Sequence, residues 1–482
     1  MSQPVAIAVV GSGYVGLVAA ACFAEMGHRV VCVDNDRARV DILREGGVPI
    51  HEEYLPELLS GRRPNQVEFT TDLRSAVRMA QAVFIAVGTP QSRTGSADLS
   101  CVDAVAREVA RSIESHTVIV EKSTVPVSTN EGIRRVMERS GAPHHLFDVA
   151  SNPEFLREGT AVVDFLHPDR IVIGADARGT AQLLRQIYEP LALGEYYRSP
   201  HAVPGPRSDC DPPPLLVTST KAAELIKHAS NAFLATKISF VNVVANICEA
   251  AGVDVEEVAQ GIGMDTRIGG KFLRAGLGYG GSCFPKDVAA FRHVAEQMGV
   301  DFSLLAEVER INQEQKRRFF QKVRSALWTL PGRRLGVLGL AFKGGTDDVR
   351  ESPALEIVKQ LIGEGCTIAA CDPAAAHHAR EVIPEGRQMQ YVSDPYAAAQ
   401  DADALLILND WQEFAELDLN RLRTALRYRI VVDGRNLYTP ARMQAAGLTY
   451  LSVGRPLQPE NGIGLQPGGV SAGQRRLARN RR

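Results

Sequence analysis

Paired cysteines, long apolar runs and an excess of one charge are all missing from this chain of 482 residues. Its eight cysteines are scattered, with no paired spacing that suggests a zinc site or a disulfide framework. Cys22, Cys32, Cys248 and Cys371 sit in apolar contexts and read as small core residues. Formal net charge is only −2, so bulk electrostatics gives no reason to expect nucleic acid or a membrane as partner. No apolar stretch approaches the ~20 residues needed to span a bilayer. The first apolar run, 5–10, lacks the basic flank of a signal peptide. The expectation is a cytoplasmic protein with reduced thiols and no bound metal.

What is present is a repeated alternation of strand-like and helix-like patterns. Strand candidates at 5–10, 29–33, 82–87, 117–120, 148–150 and 171–173 alternate with helical segments, the pattern of a parallel α/β sheet. The Pro-rich stretch 199–214 cannot continue a helix and reads as an exposed loop or linker. Residues 221–251 then run without glycine or proline, predicting a helix about 46 Å long. A second long helix is expected over 302–327. A new α/β unit begins with the strand 334–340, followed by a helix at 352–363 and a strand at 366–371. The halves echo one another: Thr71-Asp72-Leu73 and Ser393-Asp394-Pro395 each open a capped helix that leads into a buried strand.

The predicted fold is therefore α/β, with two Rossmann-like doubly wound domains joined by a central helical domain and its long connecting helix. Expected limits are 1–205 for the first domain, 215–320 for the helical domain and 325–455 for the last. The tail 456–482, ending in an arginine-rich run, reads as disordered; contact with nucleic acid or acidic lipid is the alternative.

Gly11-Ser12-Gly13-Tyr14-Val15-Gly16 follows a predicted strand and opens an apolar helix, and Asp34 ends the next strand. That context turns a common glycine pattern into a dinucleotide fingerprint. Glycines let the backbone approach a pyrophosphate, the helix start supplies N–H donors, and Asp34 accepts from ribose hydroxyls. Asp34 would repel a 2′-phosphate and favours NAD over NADP, with Arg37 and Arg39 pulling the other way.

Glu121-Lys122-Ser123-Thr124-Val125-Pro126 and the segment from Ser151 to Gly159 each follow a strand, at the carboxyl edge where open sheets bind ligands. Glu154 and Glu158 fit that setting, though either alone also fits a solvated surface carboxylate. Lys227 and Asn231, four apart, share a helix face; an ordinary polar face would look the same. Cys283 lies between Gly280-Gly281-Ser282 and Pro285-Lys286-Asp287. Pro285 suits a first helical turn, which would set the thiol at a helix start beside Lys286 and lower its pKa.

Together these segments resemble the UDP-glucose 6-dehydrogenase family, within the nucleotide-sugar dehydrogenases. The likeness runs from about Val5 to about Gly454. It rests on GSGYVG, EKSTVP, SNPEFLREGTA with HPDRIVIG, AELIKHASNAF, GMDTRIG, GYGGSCFPKD, AFKGGTDDVRES and VVDGRN. The resemblance implies oxidation of a sugar C6 alcohol to a carboxylate with two NAD, through a cysteine thiohemiacetal and thioester. It makes Cys283 the nucleophile, gives Asp287, Glu154 and Thr124 to water and proton transfer, and gives Lys227 and Asn231 to oxyanion stabilisation. It implies NAD contacts at Gly11, Gly13, Tyr14, Val15, Gly16, Asp34, Arg39, Thr89, Thr124, Glu158, Lys286 and Arg350. For the UDP-sugar it implies Phe155, Leu156, Arg157, Glu158, Lys227, Asn231, Phe272, Leu273, Arg274, Ala275, Gly276, Gly280, Lys343 and Arg435. Arg267 matches an arginine that enters a neighbouring subunit's site, implying a homo-oligomer, with a dimer as the expected form. GDP-mannose dehydrogenase uses the same cysteine logic. A hydroxyacid dehydrogenase would not need Cys283, and an inactive nucleotide-sugar binder would not need Lys227 and Asp287.

Overall fold

The computed structural model describes residues 3–60, 67–91 and 96–456; the basic end of the chain lies outside them. The first sheet comprises β1 (Ala6–Val10), β2 (Arg29–Val33), β3 (Val67–Thr70), β4 (Ala82–Ile85), β5 (Thr117–Glu121), β6 (Phe147–Ser151), β7 (Ile171–Ala175) and β8 (Leu215–Thr218). Their spatial order is β3-β2-β1-β4-β5-β6-β7-β8. β4 and β5 are buried along their whole length, as near-continuous apolar strands covered by helices on both faces should be. The order reverses direction beside β1, and the Gly11–Gly16 turn lies at that switch point.

One pairing departs from the expected all-parallel sheet. β6 and β7 run antiparallel, meeting at Ala150 with Ala175 and Ser151 with Gly174. Much of their connection stays at the carboxyl edge as the loop carrying Glu154 and Glu158. The helix that follows, Ala161–Leu166, is only six residues long, about 9 Å, too short for a full crossover. The stretch 199–214 is not a free linker. Val203 is buried with its carbonyl 2.7 Å from His167 Nε2, and Arg207 Nε donates to the Pro168 carbonyl at 3.2 Å. This packing delivers β8 to the sheet edge, so the sheet continues to Thr218, past the expected limit at 205.

The second sheet repeats the pattern. β9 (Arg334–Leu338), β10 (Thr367–Cys371), β11 (Met389–Tyr391), β12 (Ala404–Ile407), β13 (Ile430–Asp433) and β14 (Thr449–Ser452) lie in the order β11-β10-β9-β12-β13-β14, all parallel. The echoed caps are real: Asp72 accepts from the Ser75 amide at 3.1 Å, and Asp394 from the Tyr396 amide at 3.3 Å. β4 and β12, the strands they introduce, occupy equivalent places in the two sheets.

Between the sheets runs the helix Thr220–Ala251, capped at its start by Ser219 and closed by Gly252 in the left-handed region. Its first half packs against β7, while Val241, Ala245 and Cys248 enter the core of the second sheet. By length and composition this helix is apolar enough to cross a membrane, contrary to the reading from the sequence. Its inward face nevertheless buries Glu224, Lys227, Asn231 and Asn242 against protein. Helices Phe284–Gln297 and Ser303–Leu327 pack beside it and complete the fold class expected.

Candidate active site

At the switch point, the first sheet is shaped for a dinucleotide. Gly11 adopts φ +101°, and a side chain there would lie 2.6 Å from the Ala86 carbonyl oxygen. A Cβ on Gly16 would meet the Gly11 carbonyl oxygen at 1.8 Å, so helix and strand touch through that glycine. A Cβ on Gly13 would meet nothing within 4 Å, so space is open at the helix start that Tyr14 and Val15 begin. Asp34 Oδ2 accepts from the Ser12 amide at 2.6 Å and the Ser12 hydroxyl at 2.7 Å. Burial opposes its ionisation, but hydrogen bonds from Asp36 and Ser12 and the charge of Arg39 outweigh it, so its carboxyl lies below the usual range. The turn, the free helix start and the ionised acid fit NAD.

Tyr14 does more than start the helix. Its hydroxyl meets the Glu52 carboxylate, whose Oε2 also accepts from the Gly159 amide at 2.8 Å. Glu52 Oε1 accepts from the Val162 amide at 3.2 Å, tying the fingerprint to the loop that carries Glu154 and Glu158. Gly159 in turn has φ +87°, and a Cβ there would stand 2.1 Å from the Gly345 carbonyl oxygen of the second domain. The two sheets thus close on one another beside the glutamates.

Cys283 is the N-cap of the helix Phe284–Gln297, with Pro285 in its first turn. Facing it are side chains from three other segments. Lys227 Nζ donates to Glu154 Oε1 at 2.7 Å, with both side chains about 5% exposed. Asn231 Nδ2 donates to Asp287 Oδ2 at 2.5 Å. Burial works against the charged forms of Lys227 and Glu154, yet each holds the other ionised: the lysine lies above its ordinary value and the glutamate below. The thiol behaves otherwise than the sequence suggests. Burial, then the carboxylate of Glu154, push Cys283 up to about 11 against the pull of Lys227. Lys286 does not offset this, because its ammonium goes to the Thr89 hydroxyl at 3.2 Å and to Asp287 at 3.7 Å. Thr89 Oγ1 donates to the Thr124 carbonyl at 2.9 Å, which joins these residues to the EKSTVP loop.

On the other side of the thiol, Glu158 is raised to about 8 by burial and by Asp348 beside it. Burial resists ionisation of Asp348 too, but Arg350 and the neighbouring Glu158 bring it below the usual range. Arg350 bonds both acids, at 3.4 Å and 2.8 Å. Gly280 is needed where this loop crosses, since a Cβ would lie 2.2 Å from the Glu351 carbonyl oxygen.

Basic side chains gather where the second domain meets the Gly276 loop. Arg435 Nη2 donates to the Phe342 carbonyl at 2.8 Å, Arg274 reaches Asp410 at 3.4 Å, and Lys343 lies near the Phe342 ring. Burial lowers the Lys343 pKa although Glu158 opposes that shift. Gly276 is held by Asn242 and Gln315 through its amide and carbonyl, each at 2.9 Å. Phe155 stacks under Arg170 at 3.6 Å.

Not every expected residue converges. The Leu273 and Ala275 side chains are buried in the core under the second sheet, leaving only their backbone for a ligand. Arg157 turns outward to Asp164, because that carboxylate also accepts its amide. Arg267 points to solvent and pairs with Asp265, away from its own chain's cluster. Conversely, Glu52, Ser282 and Asp348 were not singled out from sequence. Asp348 had a signal, the acidic pair before Arg350 in TDDVRES; Glu52 had none among neighbouring acids.

Three family models match successive segments of the chain. The NAD binding domain of the UDP-glucose/GDP-mannose dehydrogenase family matches residues 5–192, its central domain 221–314, and its UDP binding domain 336–440. The chain belongs to this family. It is an NAD-dependent oxidoreductase with a UDP-sugar-binding second sheet. Among its relatives, UDP-glucose 6-dehydrogenase TuaD of Bacillus subtilis (strain 168) is 44% identical over 451 residues, covering 93% of each chain. UDP-glucose 6-dehydrogenase of Rhizobium meliloti (strain 1021) is 44% identical over 455 residues, 93% of this chain and 99% of the relative. A solved UDP-glucose dehydrogenase from the hyperthermophilic archaeon Pyrobaculum islandicum superposes with a TM-score of 0.83 at 40% identity, covering 94% of this chain and 98% of that one.

Proposed function

We propose that this family member is a UDP-glucose 6-dehydrogenase that oxidises its substrate twice, through a cysteine-bound intermediate. The carrying observation is the cluster itself: a thiol at a helix start, faced by a buried Lys227–Glu154 ion pair and a buried Asn231–Asp287 pair. Hydride transfer alone needs no nucleophile. A four-electron oxidation does, because the aldehyde formed first must be held until it can lose a second hydride. NAD supplies the hydride acceptor in both oxidations. Relatives that cover nearly the whole chain carry the UDP-glucose activity in their names.

In this reading the Glu154–Lys227 pair takes the proton of the C6 alcohol as its hydride leaves. The Cys283 sulfur then adds to the aldehyde carbon, and the carbonyl electrons move to an oxygen held by Lys227 and Asn231. Two cationic or polar donors rising from one helix face, already anchored by carboxylates, stabilise that oxyanion without reorganising. Loss of the second hydride leaves a thioester. Asp287, with Thr124 and Glu154, directs water onto it, releasing carboxylate and thiol. The basic residues Arg274, Lys343 and Arg435 hold the UDP-sugar, and Arg267 serves the neighbouring subunit of a cytoplasmic homo-oligomer. Free thiols throughout accord with that compartment.

Cys283→Ala tests the nucleophile. Turnover is expected to fall by more than about a thousandfold, while NAD and UDP-glucose titrations stay within about twofold of the parent. Continued formation of the carboxylate product by this variant would remove Cys283 from the reaction.

A further inference from the structure

Ser282 stands between the cysteine and a buried carboxyl pair, and none of the roles above uses it. Its hydroxyl donates to Glu158 Oε1 at 3.0 Å and lies 3.5 Å from the Cys283 sulfur. Having given its proton to the carboxylate, the oxygen faces the thiol with lone pairs, so the S–H is the donor across that second contact. Burial and Asp348 raise Glu158 to about 8, so its ionised form, with Oε1 already facing the Ser282 hydroxyl, is a base matched to proton transfer near neutral pH.

The charges around the sulfur make such a path necessary. Glu154 and Glu158 face it from the loop after β6, Asp287 from its own helix, and Lys227 from the long helix. Arg350 adds a cation from the loop after β9, and Lys286 is engaged with Thr89 and Asp287. With three acids against few cations, the thiol is neutral near pH 7 and needs a base within reach when it attacks. Glu154 and Asp287 accept from Lys227 and Asn231, and neither is hydrogen-bonded to the sulfur. Glu158 is the acid connected to the sulfur through a hydroxyl.

We propose that Ser282 carries the Cys283 proton to Glu158 as the sulfur attacks the carbonyl carbon. The S–H bond breaks as its proton moves to Ser282 Oγ, and the serine's own proton passes to Glu158. The sulfur electron pair forms the C–S bond while the carbonyl π pair moves to oxygen, so no electron is lost or gained overall. Afterwards the hydroxyl has reversed, donating towards sulfur and accepting from Glu158. The identity of the carbonyl rests on the two-step oxidation proposed above; the relay geometry does not.

The experiment follows alkylation of the apoenzyme by iodoacetamide across pH, reading the Cys283 peptide by mass spectrometry so that exposed Cys101 and Cys210 do not interfere. Ser282→Ala is expected to slow Cys283 alkylation about tenfold near neutral pH, with the same limiting rate at high pH. Ser282→Thr, which keeps the hydroxyl, is expected to follow the parent profile. An unchanged Ser282→Ala profile, or one lowered equally at every pH, overturns the relay. In turnover with UDP-glucose, the double variant Ser282→Ala/Glu158→Gln is expected to lose no more kcat than the worse single variant, as for residues acting in one unit. Losses that multiply overturn the link to Glu158. The alkylation needs no sugar nucleotide, so its outcome stands apart from the choice of substrate.

Discussion

Glu121 closes β5 with a carboxyl whose Oε1 accepts from the Ser123 amide at 2.7 Å and whose Oε2 is buried without a partner. Burial pushes it up to about 8, against roughly 4.3 in an unfolded chain. The fold therefore prefers the protonated form. The stability this preference supplies is complete below about pH 4, declines as pH rises towards 8, and is gone above that. Glu121→Gln keeps the shape without the ionisation. Its melting temperature is expected to exceed the parent's by roughly 2–4 °C at pH 8, with a smaller gap at pH 5. Equal gaps at both values would show that the carboxyl does not titrate with folding. Cys283 carries the same lesson. Its place at a helix start is readable from Pro285, but burial and the distant Glu154, the largest causes of its raised pKa, are announced by no local spacing.

Among the elements, the long helix Thr220–Ala251 has two opposed characters. One face buries Lys227, Asn231 and Asn242; the other leaves Phe233 66%, Phe240 55% and Ile247 62% exposed. These three recur every seventh residue and so form one stripe. Contiguous exposed aromatics and aliphatics of this kind mark an interface, and a second copy of the chain is the occupant proposed, in keeping with Arg267 pointing away from its own site. The parent is expected to run as an oligomer in light scattering after size exclusion, and Phe240→Asp and Phe233→Asp each as a monomer with the far-ultraviolet dichroism preserved. Unchanged molar mass in both variants would take the stripe out of the interface. The helix itself was legible because it is long, free of glycine and proline, and capped. β3 and β8 were not: four residues each with little burial, they owe their strand form to neighbours already in place rather than to their own pattern.

At the scale of the whole molecule, an eight-stranded and a six-stranded sheet share one order over six strands and lie on either side of a helical spine. Their kinship was readable in the repeated capped helix and buried strand. Their approach was not, since it depends on Gly159 meeting Gly345 and on Glu158 meeting Asp348 and Arg350, contacts between residues nearly two hundred positions apart. That approach sets Glu158 and the Cys283 loop against Asp348 and Arg350 of the second domain, as the proposed double oxidation at one site needs. The most direct measurement is the amount of NADH formed per UDP-glucose consumed by the purified protein, with GDP-mannose and other UDP-sugars run alongside. Two NADH are expected for each UDP-glucose converted, with no free aldehyde in solution; a ratio of one, or conversion of GDP-mannose in preference, would overturn the double oxidation of UDP-glucose.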